Sequence, residues 1–173
     1  VIQIIVKSYD NIENKTYTAY FDKNTYSITT QCDDQQGFVS GPSISKYLDT
    51  ITLTASANYG YHFAQWSDGN TDNPRTLILT QDTVLTAEFA INQYAISTTP
   101  SHKERGTTAG DTTVNYLDTI TISAIANYGY HFTTWSDTAD MITHPIQAQI
   151  QVLATRNKKY TAYFNKNTYY IRS

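Results

Sequence analysis

The chain has 173 residues, of which 40% are apolar and 16% are charged, and its formal net charge is −3 with a pI near 5.7. This balance provides no cluster of Lys and Arg for phosphate contacts, and no apolar run approaches the ~20 residues of a membrane span, so we expect no nucleic acid partner and no direct membrane insertion. Cys32 is the only cysteine, which excludes an internal disulfide and a thiolate metal cluster.

The first segment of the chain, residues 1–23, ends with Thr-Ala-Tyr-Phe at 18–21. The same ending recurs as Thr-Ala-Glu-Phe at 86–89 and as Thr-Ala-Tyr-Phe at 161–164. Since a recurring ending marks a recurring unit, we interpret residues 1–23 as the C-terminal hairpin of an incomplete repeat.

The rest of the chain contains two copies of one unit. Leu-Asp-Thr-Ile-Thr begins at 48 and 117, Asn-Tyr-Gly-Tyr-His-Phe begins at 58 and 127, and Trp follows at 66 and 135, always at an offset of 69. This self-similarity predicts repeat domain 1 at 24–92 and repeat domain 2 at 93–167. The last residues, 168–173, are predicted to be the opening strand of a following repeat.

The second copy is longer than the first, and we expect its extra residues to lie in loops, where turn-forming residues collect. One insertion falls between Ile96 and Leu117. Pairing Pro74 with Pro145 places a second insertion before Pro145 and a third after it. The third is interpreted as a hairpin that carries the basic run at 156–159.

Apolar residues recur at every second position within each copy, which is typical of a strand with one face on a core. No window shows the 3.6-residue period of a helix, so the fold class is predicted to be all-β. The positions predicted to face the core are Ile51, Leu53 and Ala55 with Ile120, Ile122 and Ala124, and Leu85, Ala87 and Phe89 with Tyr160, Ala162 and Phe164.

Four motifs together resemble the internalin B-repeat, also called the Listeria and Bacteroides repeat. They are Tyr-x-Ile at 26–28, Tyr-Leu-Asp-Thr at 47–50, Gly-Tyr-His-Phe-x-x-Trp at 60–66 and Leu-Thr-Ala-Glu-Phe at 85–89. The resemblance implies β-grasp-like, tandem small sheet domains that form an extended rod with little or no helix. It also implies an exported bacterial surface protein, in which such repeats serve as stalk, spacer or adhesive modules.

The repeated aromatic motif has two interpretations. In one, His62, Ser67 and Asp68 form a hydrolytic set, copied in the second unit. In the other, Tyr61, Phe63 and Trp66 fill a core, Gly60 has a positive φ or lies close to another group, and His62 points outward. Because Tyr61 and Phe63 share a face that His62 opposes, alternation favours the core, and we expect no enzyme activity.

The segment at 68–72 also invites a calcium interpretation, since Asp68, Asn70 and Asp72 place oxygens at alternate positions. The rest of a calcium loop is not there, because Asn73 and Leu79 occupy the positions of the turn glycine and the bidentate glutamate. An Asp-Gly turn explains the segment better, so we expect no metal and no cofactor.

Two sets of residues are candidates for partner binding. Outward tyrosines can stack on sugars or anchor a protein, although such rings also arise as cross-strand packing pairs. The other candidate is the turn at 102–105, which reads His-Lys-Glu-Arg where the first copy has Asp-Asp-Gln-Gln at 33–36, although such charge runs are also found as solvated turns. The candidates are Tyr20, Tyr163, Tyr170, His102, Lys103 and Arg105.

Together with the repeat pattern, the resemblance therefore implies a non-catalytic extracellular repeat module that acts as a stalk, spacer or adhesion segment of a larger bacterial surface protein. The alternative is a module that binds a glycan or protein through exposed tyrosines and variable loops. Its partner would be a host or matrix protein or a glycan. We expect the module to lie outside the cell or on the bacterial cell surface.

Overall fold

The computed structural model describes residues 2–7, 14–19, 22–137, 143–144 and 146–171, and it describes side chains outside 2–7, 14–19 and 143–144. These residues form seventeen strands and no helix, so the all-β prediction is confirmed. Among them there is accordingly no helix that could cross a membrane. The strands are β1 (Ile2–Lys7), β2 (Asn14–Ala19), β3 (Thr25–Gln31), β4 (Gly37–Ser40), β5 (Ile44–Lys46), β6 (Thr50–Ala57), β7 (Tyr61–Trp66), β8 (Arg75–Ile78), β9 (Thr83–Ile91), β10 (Gln93–Pro100), β11 (Gly106–Ala109), β12 (Thr112–Asn115), β13 (Thr119–Ala126), β14 (Tyr130–Asp137), β15 (Thr143–His144), β16 (Gln149–Leu153) and β17 (Lys158–Lys166).

The chain divides into two compact units, which are tandem small sheet domains. Unit 1 consists of Val1–Ser56 and Phe63–Glu88, and unit 2 consists of Ala57–His62 and Phe89–Ser173. The domain limits predicted at 24–92 and 93–167 stay predictions, as does the β-grasp-like detail of the fold. Strands β1 and β2 form an antiparallel pair, and their origin in an incomplete repeat also stays a prediction.

Unit 1 is built from two sheets around one core. One sheet has the strand order β5-β3-β9-β7, and the other has the order β4-β6-β8. Alternate residues of β6 and β9 point inward, as the period of two predicted. The fully or nearly buried apolar residues of this unit are Ile28, Ile51, Leu53, Ala55, Trp66, Leu79, Leu85 and Ala87.

Unit 2 repeats this plan with one more short strand. Its larger sheet has the order β12-β10-β17-β14-β15, and its smaller sheet has the order β11-β13-β16. Both sheets contribute to one apolar cluster, so each sheet covers the inner face of the other. The buried members of this cluster are Ile96, Ile122, Ala124, Trp135, Val152, Ala154, Tyr160, Ala162 and Phe164.

In each larger sheet the first and last long strands of the unit lie side by side and run parallel. In unit 1, β3 pairs with β9 and Ile28 lies opposite Thr83. In unit 2, β10 pairs with β17 and Ile96 lies opposite Lys158. Parallel neighbours need a long crossover connection, and here the remaining strands of the unit supply it.

The strand register corrects the predicted positions of the insertions. Ile51 lies opposite Leu77 in unit 1, and Ile120 lies opposite Val152 in unit 2. Leu77 and Val152 are therefore equivalent, at an offset of 75 rather than the 71 implied by Pro145. The insertion predicted between Pro145 and Tyr160 does not fall within or after β16, because the ladder already has the final offset there. All the additional residues of this part lie between β14 and β16.

The predicted hairpin at 156–159 is wrong for the same reason. Strand β16 belongs to the smaller sheet and β17 to the larger one, so the connection at 154–157 crosses between two sheets. The connection at 79–82 has the same length in unit 1.

The opening strand predicted at 168–173 is not formed in residues 168–171. An extended segment becomes a strand only through hydrogen bonds to a neighbour. The described part of the chain provides no such neighbour for it.

Candidate functional site

The tryptophan of the repeated motif lies in the core of unit 1. The side chain of Trp66 has 0% exposure, and its ring centroid lies 5.4 Å from that of Phe63. The indole N–H donates a hydrogen bond to the backbone oxygen of Asp72 at 2.9 Å. The apolar ring is buried and its N–H has a hydrogen-bond partner, so burial leaves no polar atom unpaired. This confirms that Trp66 is a core residue.

The second copy reproduces the burial and the ring contact in unit 2, but not the hydrogen bond of the indole N–H. Trp135 also has 0% exposure, and its ring centroid lies 5.7 Å from that of Phe132. Phe132 in turn makes an edge-to-face contact with Phe164 at 6.0 Å. Both tryptophans are therefore interior groups, whereas the neighbouring Phe63 and Phe132 are half-buried.

The histidine of the motif points outward, as alternation predicted. His62 is exposed, and its Nδ1 lies 2.8 Å from the side-chain oxygen of Asn92. His131 makes the same contact with Asn167 at 2.9 Å. In both copies an asparagine beyond the last strand of the copy holds the imidazole, so the pair is part of the repeated frame.

The other two members of the imagined hydrolytic set have partners of their own. The hydroxyl of Ser67 accepts a hydrogen bond from the backbone N–H of Thr86 at 3.1 Å. Asp68 accepts two hydrogen bonds from the Arg75 guanidinium, at 2.7 and 2.6 Å. These bonds from Arg75 hold the pKa of the Asp68 carboxyl below its usual value. His62 contacts Asn92 instead of Ser67 or Asp68. The described contacts therefore do not bring a nucleophile, a base and an orienting acid together.

The segment at 68–72 folds as a turn held by its own polar groups. The Asp68 side chain accepts a hydrogen bond from Asn70 N–H at 3.2 Å, and the Asn70 side chain accepts one from Asp72 N–H at 2.9 Å. Gly69 has φ of 82°, which suits glycine at such a turn. Among the described residues no three His, Cys, Asp or Glu groups gather around a point where a metal could bind.

In unit 2 the carboxylate equivalent to Asp68 is buried. Asp137 has 1% exposure, and its Oδ2 lies 3.8 Å from the ammonium group of Lys158. Burial, together with the negative charge of Asp137, raises the pKa of Tyr160 to about 12. This carboxylate therefore belongs to an ion pair within the sheet, next to a phenol that stays protonated at neutral pH.

A second cluster, also within unit 2, surrounds Gly60. This residue has φ of 92°, and a Cβ at its position would overlap the ring of Tyr116. The backbone N–H of Asn92 donates to the Gly60 oxygen at 2.8 Å, and the Asn92 oxygen accepts from Tyr116 N–H at 2.8 Å. The prediction of a positive φ or a close approach at Gly60 is thus confirmed on both counts.

The family model of the divergent InlB B-repeat domain matches residues 26–93 and again residues 95–168. The chain belongs to the divergent InlB B-repeat family. No curated protein and no solved structure matches it. The resemblance to the internalin B-repeat is therefore confirmed, with two tandem copies. This family fits a repeat module of bacterial surface proteins and is typically non-catalytic.

The tyrosines predicted to bind a partner differ in position. Tyr163 lies in β17 with 43% exposure, on the opposite face from the buried Ala162 and Phe164. Tyr170 follows the last strand with 89% exposure. Tyr20 lies outside the residues whose side chains are described. A role for these rings in binding stays a prediction.

The charged turn of the second InlB B-repeat joins β10 to β11. His102 and Lys103 are exposed there, whereas Arg105 is half-buried. The Arg105 guanidinium lies 5.8 Å from the centre of the Tyr130 ring and donates to the Phe164 oxygen at 3.4 Å. Arg105 thus packs within its own unit. The described contacts do not bring this turn together with Tyr163 or Tyr170.

Sequence reasoning missed the part that asparagines and the Tyr-Leu turns play in these InlB B-repeats. Asn92 and Asn167 are equivalent at the offset of 75, and Tyr47 and Tyr116 are equivalent at the offset of 69. Their recurrence at fixed offsets was the available signal, since a polar residue kept at a copy boundary often holds the backbone there.

Proposed function

We propose that the chain is a non-catalytic spacer in a larger bacterial surface protein, where its units hold other parts of that protein. The observation that carries this proposal is the use of the repeated motif inside the fold. Trp66 and Trp135 fill the cores, and His62 and His131 each bind an asparagine. The groups that recur between copies therefore serve the frame, as a repeat array requires.

Two depressions among the described residues agree with the same proposal. Neither of the two is lined by tyrosine or tryptophan. A glycan or protein anchor site usually presents such rings in a concave cluster. One depression is lined by Thr30, Gln31, Cys32, Asp34, Phe38 and Val39, and the other by Thr121, Gln147, Gln149, Ile150 and Gln151.

An extracellular location is part of the proposal. Support comes from the family, which fits modules of bacterial surface proteins. A spacer outside the cell must keep its fold without a partner, and each unit here has a core of its own.

Adhesion is the second candidate function. It is favoured by the exposure of Tyr169 and Tyr170, which stand at 74% and 89% in consecutive positions. Together with Tyr163 they could contact a glycan or a host matrix protein, because exposed aromatic rings bind both at low entropic cost.

A binding screen separates the two functions. The chain would be applied to a glycan array and to a panel of host matrix proteins. A spacer gives no retention above that of an unrelated protein. An adhesin gives retention that falls in Tyr163→Ser or Tyr170→Ser, but not in Ile125→Ser, which removes an apolar side chain of 69% exposure elsewhere. Such selective loss would replace the spacer proposal with adhesion.

A further inference from the structure

The two copies of the Asn-Tyr-Gly-Tyr-His-Phe turn differ in what covers them. In unit 2 the first turn is covered by a tyrosine, because the ring of Tyr116 lies against Gly60. The rings of Tyr59 and Tyr116 meet edge to face with centroids 5.4 Å apart. The Tyr59 hydroxyl also donates a hydrogen bond to the Thr155 oxygen at 3.3 Å.

The second turn has the same backbone but lacks this cover. Gly129 has φ of 84°, against 92° for Gly60, and accepts a hydrogen bond from Asn167 N–H at 2.8 Å, as Gly60 does from Asn92. However, Tyr128 has 101% exposure, and no described atom lies within 4 Å of a Cβ built on Gly129. The surface around Tyr128 and Gly129 is here called the open turn. Its backbone has the same conformation as the first turn, but no described residue covers it.

Each copy also contains the tyrosine that could cover such a turn. Tyr116 is followed by Leu117 with φ of 67°, and the equivalent Tyr47 is followed by Leu48 with φ of 63°. A left-handed leucine is rare and persists only where its surroundings hold it. Because the same conformation occurs in both copies, the Tyr-Leu turn does not depend on a contact with Gly60.

The position of the covering ring is likewise fixed within each copy. The rings of Tyr94 and Tyr116 have centroids 6.4 Å apart, and those of Tyr26 and Tyr47 have centroids 6.3 Å apart. Both pairs meet edge to face, a favoured geometry for aromatic rings. Every copy thus carries a glycine turn that can receive a ring and a tyrosine turn that can supply one.

We propose that the open turn is the docking surface for a further InlB B-repeat, which places the tyrosine of its Tyr-Leu turn over Gly129. Glycine is required at this position, since a side chain would occupy the space of the ring and would oppose the positive φ. The open turn then has the same function whether the array serves as a spacer or as an adhesin. The inference is therefore independent of the proposed function.

In the test, residues 168–173 are replaced by a second copy of residues 93–167, so that the added copy follows Asn167 directly. Gly129→Ala is then compared in the original and the extended chain by thermal unfolding. In the original chain Gly129→Ala should lower Tm as much as Gly69→Ala does. Gly69 is a matched position, because it has φ of 82° and a Cβ placed there would also have no atom within 4 Å. In the extended chain we expect an additional fall of about 4–8 °C or more, because the new ring is then displaced. Gly60→Ala is the positive control.

A second readout follows Tyr128 directly. Its ring resonances should move toward those of Tyr59 on extension, since both rings would then face a tyrosine. If the added copy does not fold, an extension with residues 25–92, which carries Tyr47, replaces it. Equal effects of Gly129→Ala in both chains, or unmoved Tyr128 resonances beside a folded added copy, would overturn the proposal. Failure of both extensions to fold would overturn it as well, because a docked repeat should be stabilised.

Discussion

Asp68 shows how a single residue of a surface turn can contribute to folding. Its carboxylate receives two hydrogen bonds from Arg75, whose side chain is only 15% exposed, whereas that of Asp68 is 45% exposed. The geometry is bidentate, which is the strong form of this interaction, but solvent reduces its strength at such an exposure. The pair ties the turn after β7 to the start of β8.

This pair predicts a pH dependence of stability. The pKa of Asp68 lies below its ordinary value of 3.8 in the folded chain, chiefly through its bonds to Arg75. Its contribution is therefore present above pH ~4 and is lost as the pH falls through the lowered pKa. We expect the Tm of unit 1 to exceed that of Asp68→Asn at pH 7, and the difference to shrink at pH 2.

Thermal melts between pH 7 and pH 2 measure this difference. Arg75→Gln is the matched control, since it removes the other partner and should show the same reduced acid sensitivity. A gap between wild type and Asp68→Asn that stays constant over this range would contradict the assignment.

The sequence predicted single residues well where alternation determines their surroundings. The exposure of His62 follows from alternation, since Tyr61 and Phe63 lie on the other face of the same strand. The burial of Trp66 does not follow from it, because strict alternation would place Trp66 on the same face as His62. The contact between Gly60 and Tyr116 could not be predicted in this way. It depends on a turn that a left-handed leucine shapes, and no periodic pattern reports that conformation.

At the level of elements, Asn73 extends the edge of β6 with its side chain. The Asn73 amide accepts a hydrogen bond from Ala55 N–H at 2.9 Å and donates one to the Ala55 oxygen at 2.7 Å. In unit 2 the equivalent Ala124 N–H donates to the backbone oxygen of Ala148 at 2.8 Å. One copy thus uses a side chain where the other uses the backbone.

We predict that Asn73→Ala lowers the stability of unit 1 by about 1–3 kcal/mol, because it leaves two partly buried backbone groups without partners. Asn70→Ala is the matched control, since the Asn70 side chain accepts one exposed hydrogen bond from Asp72 N–H and donates another to the Asp72 carboxylate. Urea unfolding of both variants measures the difference. Equal losses of stability would show that the Ala55 bonds contribute nothing specific.

The strands were predictable as elements, but their neighbours were not. A period of two identifies the buried face of β9 and says nothing about which strand lies beside it. Ile28 and Thr83 face each other across the parallel pair although they are far apart in sequence. The error at Pro145 has the same origin, since a matched proline was used where only the register could decide.

At the level of the whole molecule, each unit depends on one tryptophan. A unit of about seventy residues has a stability of roughly 3–10 kcal/mol. Truncating a fully buried tryptophan to alanine costs about 3–5 kcal/mol. We predict that Trp66→Ala unfolds unit 1 and leaves unit 2 largely folded, as thermal melts followed by the fluorescence of Trp135 can measure.

Trp135→Ala is the reciprocal control and should unfold unit 2 instead. Unshifted transitions in Trp66→Ala would disprove the role of this ring in the core. The extended rod stays a prediction, and small-angle X-ray scattering would measure it.

The parallel pairing of β3 with β9, and of β10 with β17, has a mechanical consequence. The chain enters each larger sheet at one end of such a ladder and leaves it at the opposite end. Tension on the two ends of the unit is therefore applied along the ladder and across its hydrogen bonds. Under this shear load the bonds must break together, whereas a hairpin pulled at its open end would unzip one bond at a time.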